Sequence, residues 1–413
     1  MKVKNSLVAL FLVIAMLFTV SAIAETETVR VGALLPFSGG TAAMGAEFKA
    51  GMEMAVKNFN EAGGVKSMGG AQIELVWGDS AGDPQTGVTE IERLITEENV
   101  VAMLGPYNSS VGASTAPIAE KYGVPYLLTN SNADSILEVD YKYVFRANHA
   151  NSDAAKNMVD FCKDMSARGP EIKKAAIVAD NSDWGVGMAE CLKELCAENG
   201  IECNVCEIFE TNASDMSSIV IKIKQDDPDI VFAMCYLSDA QLLTSTMSEY
   251  QVDATIFADG SGFVSSDYIE FAGEAAEGLL ATNGWHVGLC EYKGEVATQL
   301  NEQYKTEYSN GVDMNEFSAS GWLNATIMCE VIENAGAADR EAIREALANF
   351  NVDSSDYALS LHAYEGIEFG QVRTMYNQNK YSGKVITQVQ DGQYVLVGPT
   401  TLVKSGNFVW PVE

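Results

Sequence analysis

The stretch IELVWGDSAGDPQTGVTEIERLI, Ile73–Ile95, has the pattern of an apolar strand, a short loop and an amphipathic helix. Asp83 followed by Pro84 is a favoured helix start, because aspartate caps free N–H groups and proline suits the first helical position. The pattern therefore predicts that the helix begins at Pro84. The same strand–loop–helix unit recurs along the chain, which predicts right-handed βαβ connections and doubly wound parallel sheets of the α/β class.

The recurring unit forms two successive runs, and we expect each run to build one lobe. The first run extends from the strand VRVGALLPF to VPYLLT, and the second from KAAIVAD to ATIFAD. Near the end of the chain, KVITQVQDGQYVLVG alternates like a hairpin that turns at Asp391 and Gly392. Ligands bind outside the carboxyl ends of strands in open parallel sheets. Two facing lobes therefore predict a binding cleft between them.

The segment GDSAG fits the G-x-S-x-G pattern of the hydrolase nucleophile elbow, with Ser80 as the nucleophile. A true elbow starts its helix directly after the serine, whereas the helix here is expected to begin at Pro84. The three histidines stand in no context that singles out a triad base. No P-loop, dinucleotide fingerprint or zinc-protease motif occurs either. The sequence therefore predicts no catalysis and no cofactor.

The charge balance and the N-terminal segment indicate where the protein works. A net charge of −31 predicts no binding to nucleic acid and little to anionic lipid, because both require a basic surface. Residues 1–24 combine two lysines, a twelve-residue apolar run and a small-residue cleavage site, which is typical of a cleavable secretory signal. The run is shorter than the about 20 residues of a bilayer span. We expect an exported, periplasmic protein.

The eight cysteines begin at Cys162, so none follows the expected cleavage site, and we predict no lipoprotein anchor. Cys203 and Cys206 form a C-x-x-C pattern. Strand periodicity sends these two to opposite faces, and helix periodicity separates Cys191 from Cys196. Zinc sites need converging ligands, so we predict no metal site. Buried thiols and a local disulfide of unassigned pairing both remain open.

Five stretches stand in order along the chain: VRVGALLPFSGGTAAMGAEFKAGMEMAVKNFNEAGGV, GDSAGDPQTGVTEIERLI, GPYNSSVGASTAPIAEKYGVPYLLTNSNA, KKAAIVADNSDWGVGMA and GEAAEGLLAT. Together they resemble the branched-chain amino-acid-binding proteins, which are type I periplasmic binding proteins that deliver ligands to ABC transporters. The resemblance implies two lobes joined by a hinge of three crossovers, near residue 148, near residue 279 and within 369–383. The implied boundaries are 25–147 with 280–374 for lobe 1, and 148–279 with 375–413 for lobe 2.

The resemblance also implies a carboxylate-binding part of the cleft. Ser109 matches the family serine that hydrogen-bonds the ligand α-carboxylate from the start of a helix, where free N–H groups suit an anion. Asn130, Ser131 and Asn132 match a second loop that grips the carboxylate. The family has alanine at position 130 and threonine at position 132, so the asparagines add polar atoms. We therefore expect a ligand that carries polar atoms of its own.

The opposite wall of the implied cleft carries aromatic and acidic residues. Trp184 occupies a family tyrosine position, and Tyr236 ends the strand DIVFAMCY. Asp259 matches the acid that binds the α-ammonium. A carboxylate in a poorly hydrated cleft demands a cation or a proton, which favours an amino acid over a simple carboxylic acid. If the register shifts by two residues, Ser261 takes that position instead.

Further positions follow from the resemblance. Met44 and Phe317 match residues that cover the ligand side chain, although either can belong to the core. The family disulfide would join positions 82 and 108, which are Gly82 and Asn108 here, so that bridge is absent.

The resemblance implies a monomeric solute-binding protein of an ABC importer, which closes its lobes on an amino acid and is recognised by a transporter permease. Two alternatives stay open. The ligand could be a small carboxylate or amide that is not an amino acid. The chain could also be a ligand-sensing module of the same fold that reports to a receptor or regulator.

Overall fold

A computed structural model describes residues 28–169, 171–403 and 407–409. The expected signal segment, residues 1–24, lies outside these ranges. Among the described helices, none has the length and apolar character needed to cross a membrane. Two sheets flanked by helices form the two expected lobes.

The strands, in chain order, are β1 Thr28–Leu35, β2 Gln72–Asp79, β3 Ala102–Leu104, β4 Tyr126–Leu128, β5 Val144–Arg146, β6 Lys174–Asp180, β7 Glu202–Phe209, β8 Ile230–Met234, β9 Thr255–Asp259, β10 Leu280–Asn283, β11 Asn351–Asp353, β12 Gly366–Val372, β13 Met375–Asn379, β14 Val385–Gln390 and β15 Gln393–Gly398. The α-helices are α1 Ala42–Glu61, α2 Pro84–Thr96, α3 Ser109–Tyr122, α4 Asn151–Ser166, α5 Asp183–Glu198, α6 Ser217–Asp226, α7 Leu237–Glu249, α8 Ser266–Ala272, α9 Cys290–Lys293, α10 Glu295–Glu307, α11 Glu316–Ala335 and α12 Arg340–Ala348.

Both sheets have a parallel centre and an antiparallel margin. The first has the order β11-β12-β13-β5-β4-β3-β1-β2, and the second has the order β15-β14-β10-β9-β8-β6-β7. On β1, Val31 and Ala33 pack into one apolar cluster, whereas Leu34 packs into another on the opposite face. Burial on both faces explains why such strands are continuous apolar runs. The doubly wound α/β prediction is confirmed.

The helix start at Pro84 follows the prediction. Asp83 Oδ1 accepts a hydrogen bond from Thr86 N at 2.8 Å, and Pro84 occupies the first helical turn. Ser80 is buried in the loop before the helix, and its Oγ lies 3.4 Å from Gly82 N. Since the helix begins well after the serine, the elbow geometry of a hydrolase is not formed.

The chain passes between the sheets after β5, after β10 and after β13. The implied lobe boundaries after residues 279 and 374 lie a few residues too early, whereas the third crossover, between β13 and β14, falls at the end of the implied range 369–383. Residues 280–283 belong to the second sheet, because β10 pairs with β9 in the register Thr282↔Asp259. Residues 375–379 belong to the first sheet, because Gln378 of β13 pairs with Arg146 of β5. The expected hairpin at Asp391 is present as the β14–β15 pair.

Close packing of α1 against α11 fixes one wall of the cleft. A Cβ on Gly51 would lie 1.9 Å from Ser318 O, and a Cβ on Gly321 would lie 2.3 Å from Phe48 O. Only glycine permits this approach of the two backbones. The contact holds the first turn of α11, which begins at Glu316, beside the cleft.

Candidate functional site

A small cavity lies between the lobes, beyond the carboxyl ends of the central strands. Its volume is about 20 Å³, which is space for the centre of one or two water molecules. Five residues of its wall come from the first lobe: Tyr107, Ser109, Asn130, Asn132 and Glu316. The other five come from the second lobe or the third crossover: Trp184, Tyr236, Asp259, Ser261 and Lys384.

The two lobes touch each other at the cavity. Tyr107 OH lies 3.2 Å from Ser261 Oγ, and Asn108 Nδ2 donates to Tyr236 OH at 3.4 Å. The rings of Tyr107 and Tyr236 meet edge to face, with centroids 6.2 Å apart. These contacts join residues of opposite lobes, so the structure corresponds to a closed form of the cleft.

The first helical turn of α3 offers positive potential to the cavity. Ser109 is its first residue, and Ser109 Oγ accepts a hydrogen bond from Ala133 N at 3.2 Å. Asn108, the residue before the helix, makes no side-chain cap. Its side chain instead faces Tyr236 of the other lobe. Free N–H groups at a helix start suit an anionic ligand group.

Two amide oxygens of the same wall lack hydrogen-bond partners among the described residues. Asn130 Oδ1 and Asn132 Oδ1 are both buried and unpaired. Asn132 Nδ2 lies 2.9 Å from His149 Nε2, and burial lowers the pKa of His149 well below its ordinary value, so the ring is neutral. Buried polar atoms are normally paired, so the unpaired oxygens are available to a polar ligand.

Three charged side chains form a buried cluster on the other side of the cavity. Lys384 Nζ lies 2.9 Å from Asp259 Oδ1 and 3.1 Å from Glu316 Oε1, and the three side chains are at most 3% exposed. Burial opposes the charge of Lys384, but attraction by the two carboxylates raises its pKa. When Asp259 and Glu316 are both ionised, two carboxylates and one ammonium give the cluster a net negative charge.

The two acids of this cluster differ in their remaining partners. Asp259 Oδ2 accepts from Trp184 Nε1 at 3.2 Å, and Asp259 Oδ1 also accepts from Thr282 Oγ1. Glu316 Oε2 has no hydrogen-bond partner among the described residues. Burial raises the pKa of Glu316, which means that a second cation would lower the free energy of its ionised form. Of the two acids, Glu316 is therefore the one whose carboxylate has an oxygen left to bind a cationic group.

Three of the expected site residues do not line the cavity. Ser131 Oγ lies 3.1 Å from the carbonyl oxygens of Pro106 and Asn108, so it braces the loop before α3. Phe317 packs beneath Tyr107, with ring centroids 5.7 Å apart. Met44 is buried in the apolar core of the first lobe. Because apolar and loop-bracing contacts occupy these side chains, they support the wall and do not form it.

Other residues of the wall were not assigned to the ligand by the sequence. Glu316 directly precedes Phe317, which carried the family match, and Tyr107 follows β3 just before Ser109. Glu316 begins a helix and Tyr107 lies between a strand and a helix, and such positions at element ends are a signal from which a place in the cleft could have been predicted. Lys384 ends the third crossover and is the first residue of the alternating segment KVITQVQDGQYVLVG, whose pattern predicted a hairpin and no ligand contact. Ser261 was expected only as an alternative to Asp259, and the structure brings both to the cavity.

The remaining expectations concern cysteines and metals. An ideal Cβ on Gly82 lies 3.4 Å from Asn108 Oδ1, so the two positions of the family disulfide are adjacent although neither is cysteine. Within the described ranges there is no group of three or more His, Cys, Asp or Glu side chains able to hold a metal ion.

Comparisons with known proteins agree with this architecture. The family model described as "Periplasmic binding protein" matches residues 28–373. "Leu/Ile/Val-binding protein homolog 7" of Brucella abortus (strain 2308) is 29% identical over 385 residues, which cover 90% of this chain and 91% of the relative.

Two solved structures share the fold. LivJ of Streptococcus pneumoniae, a branched-chain amino acid transporter substrate-binding protein in complex with isoleucine, has a TM-score of 0.76 at 21% identity, covering 90% of this chain and 100% of that one. A solute-binding protein of an ABC transporter from R. palustris, in complex with benzoate, has a TM-score of 0.73 at 19% identity, covering 90% and 96%.

Proposed function

This chain belongs to the periplasmic binding protein family, and from that premise we propose that it captures a small amino acid for an ABC importer by closing its lobes. Family membership implies a periplasmic location and a solute-binding, non-enzymatic role. The proposed partners are one small-molecule ligand and a transporter permease. We propose a monomer as the working unit.

The observation that carries the ligand class is the unpaired Glu316 Oε2 in a cluster of net negative charge. An ammonium group would supply the missing cation. Ser109, at the start of α3, supplies a matching site for a carboxylate. A molecule with both groups is an amino acid, and the relatives named for Leu, Ile and Val support that class.

The rest of the cavity favours a small and polar side chain. Asn130 and Asn132 bring unpaired amide oxygens to the wall, and a leucine side chain would leave them without partners. Tyr107, Tyr236 and Trp184 occupy space that a large side chain would need. The residues of the wall therefore support a ligand with a small side chain and hydrogen-bonding groups.

A second candidate is a small carboxylate without an amine, as in the R. palustris relative with benzoate. The aromatic side chains at the cavity favour this alternative. It leaves Glu316 Oε2 unpaired, which is its physical weakness. In the alternative in which the protein is a ligand-sensing module, the ligand would occupy the same site, and only the protein partner would differ.

A thermal-shift screen distinguishes the ligand classes. Each amino acid is paired with the carboxylic acid that lacks its amine. Ligand at about 100 times its Kd should add about 2.7 kcal/mol of stability. We expect an amino acid to give the largest shift and its amine-free partner to give little. The opposite ranking, unchanged in Glu316→Gln, would establish the second candidate. Co-purification with a permease supports transport, whereas a kinase or chemoreceptor partner supports sensing.

A further inference from the structure

A pair of cysteines away from the cleft is not used by solute binding. Cys196 lies in the last turn of α5 and is fully buried, and Cys203 is the second residue of β7 and is half-buried. The two thiols are neighbours that pack on the same apolar cluster. The turn between them is tight, since Ile201 N donates to Cys196 O at 2.9 Å and Gly200 adopts a left-handed φ of +73°.

The local sheet geometry explains why Cys203 faces Cys196. In the β6–β7 pair, Lys174 is opposite Glu202 and Ala176 is opposite Val205, so the register shifts between them. Such a bulge re-aims the side chains of the longer strand. Cys203 then packs on the same apolar cluster that contains Cys196. Cys206 is exposed and lies outside that contact.

We propose that Cys196 and Cys203 form an intramolecular disulfide when the protein meets a disulfide oxidant. The step goes beyond solute capture and involves no residue of the cavity. Extracytoplasmic compartments maintain such oxidants, so the proposed location makes the reaction available. The connecting turn is already folded in the thiol form, so little backbone ordering remains to be done.

The accessible thiol starts the reaction. The neighbouring Cys196 side chain lowers the pKa of Cys203, which favours its thiolate. With oxidised glutathione, Cys203 Sγ attacks one sulfur, breaks the S–S bond and releases one glutathione thiolate. Cys196 then loses its proton, and its sulfur attacks Cys203 Sγ and displaces the second glutathione. One disulfide is reduced, one is formed, and the two cysteine protons end on two glutathione thiols.

The bond would anchor an edge of the second sheet. β7 is the last strand of that sheet, so it has a neighbouring strand on one side only. A covalent link to α5 restricts the unfolded chain and ties this edge strand to the adjacent helix. We expect the oxidised protein to unfold at a higher temperature than the reduced protein.

Peptide mapping tests the proposal on the full-length protein. The protein is equilibrated with oxidised glutathione, denatured in an alkylating agent without reductant, and cleaved after glutamate. We expect two of the eight cysteines to resist alkylation, and the peptide of residues 195–198 to be linked to that of residues 203–207. Fragmentation of the linked peptide assigns the bond to Cys203.

Cys203→Ser should abolish the link, whereas the neighbouring Cys206→Ser should retain it. The rise in Tm on oxidation should be present in Cys206→Ser and absent in Cys203→Ser. Alkylation of every cysteine after oxidation would overturn the proposal. A link that joins Cys162 to Cys196, or that persists in Cys203→Ser, would also overturn it.

Discussion

Lys384 and Asp259 form a buried ion pair, with 2.9 Å between Nζ and Oδ1 and with side chains only 1% and 3% exposed. The pair changes the electrostatics expected from the sequence. The sequence predicted that Asp259 binds the ammonium of a ligand. In the structure, Lys384 of the same chain is already its counter-ion. The charge that remains for a ligand resides on Glu316, whose second oxygen is unpaired.

The first prediction concerns Glu316→Gln. Removing this charge makes the cluster neutral, so the affinity for an ammonium-bearing ligand should fall about ten-fold or more, which is at least about 1.4 kcal/mol. Isothermal titration with the amino acid found by screening measures the effect. Glu333→Gln, on the same helix but outside the cavity, is the matched control and should bind normally. Equal affinities of the Glu316 variant and the wild type would contradict the charge argument.

The second prediction concerns Lys384→Met. The substitution leaves Asp259 and Glu316 buried without their cation, and we expect a loss of about 3–5 kcal/mol in unfolding free energy near pH 7. Without the lysine, burial is no longer opposed at Glu316 and raises the pKa of its carboxyl further above the unfolded value. The variant should therefore regain stability as the pH falls and the acids take up protons.

Urea unfolding at pH 5 and pH 8 measures this pH dependence. Lys380→Met is the control, because Lys380 makes a half-exposed ion pair with Glu368. A surface pair of this kind contributes at most about 1 kcal/mol. A pH-independent loss in the Lys384 variant, or an equal loss in both variants, is incompatible with a buried charge cluster.

The third prediction concerns Ser109→Ala. If Ser109 hydrogen-bonds a ligand carboxylate, the substitution should weaken binding by about 1.5–3 kcal/mol, the usual range for a hydrogen bond to a charged group. Ser110→Ala changes the next residue of the same helical turn, which does not line the cavity. Titration should separate the two variants clearly. Similar affinities would show that the helix start, and not the hydroxyl, holds the anion.

The fourth prediction concerns the pH dependence of stability. Burial and the neighbouring Asp356 raise the pKa of Glu330 to about 8 from 4.5. A raised pKa in the folded state gives stability that is complete below pH 4.5 and is lost as the pH rises through 8. Glu330→Gln should therefore stabilise the protein at pH 9, on the order of 2 kcal/mol, and change little at pH 5. Urea unfolding at both pH values tests this, and equal effects would refute it.

The fold was predictable where local signals agree with tertiary structure. Asp83 and Pro84 define a helix start by capping chemistry alone, and the structure has that start. The strands β11 to β13 carry no comparable signal. β13, MYNQN, does not alternate and is polar, and its place depends on pairing with β5, which lies far away in sequence. Its sheet therefore could not be assigned from local pattern.

The site was predictable to the extent that it lies at strand and helix ends. Ser109 and Asp259 follow from that rule together with the family resemblance. Lys384 does not, because its position in a crossover is set by contacts with Asp259 and Glu316 that come from separate parts of the chain. A sequence pattern records neighbours along the chain, whereas this cluster depends on neighbours in space.

The cavity of about 20 Å³ has a consequence for the rate of ligand capture. In this form the lobes meet through the Tyr107–Ser261 and Asn108–Tyr236 contacts, so association must begin from a form in which these contacts are broken. The frequency of that opening then sets an upper limit on the association rate, however high the ligand concentration. Residues that do not line the cavity, such as Asn108, can therefore govern how quickly the ligand is captured and how long it stays.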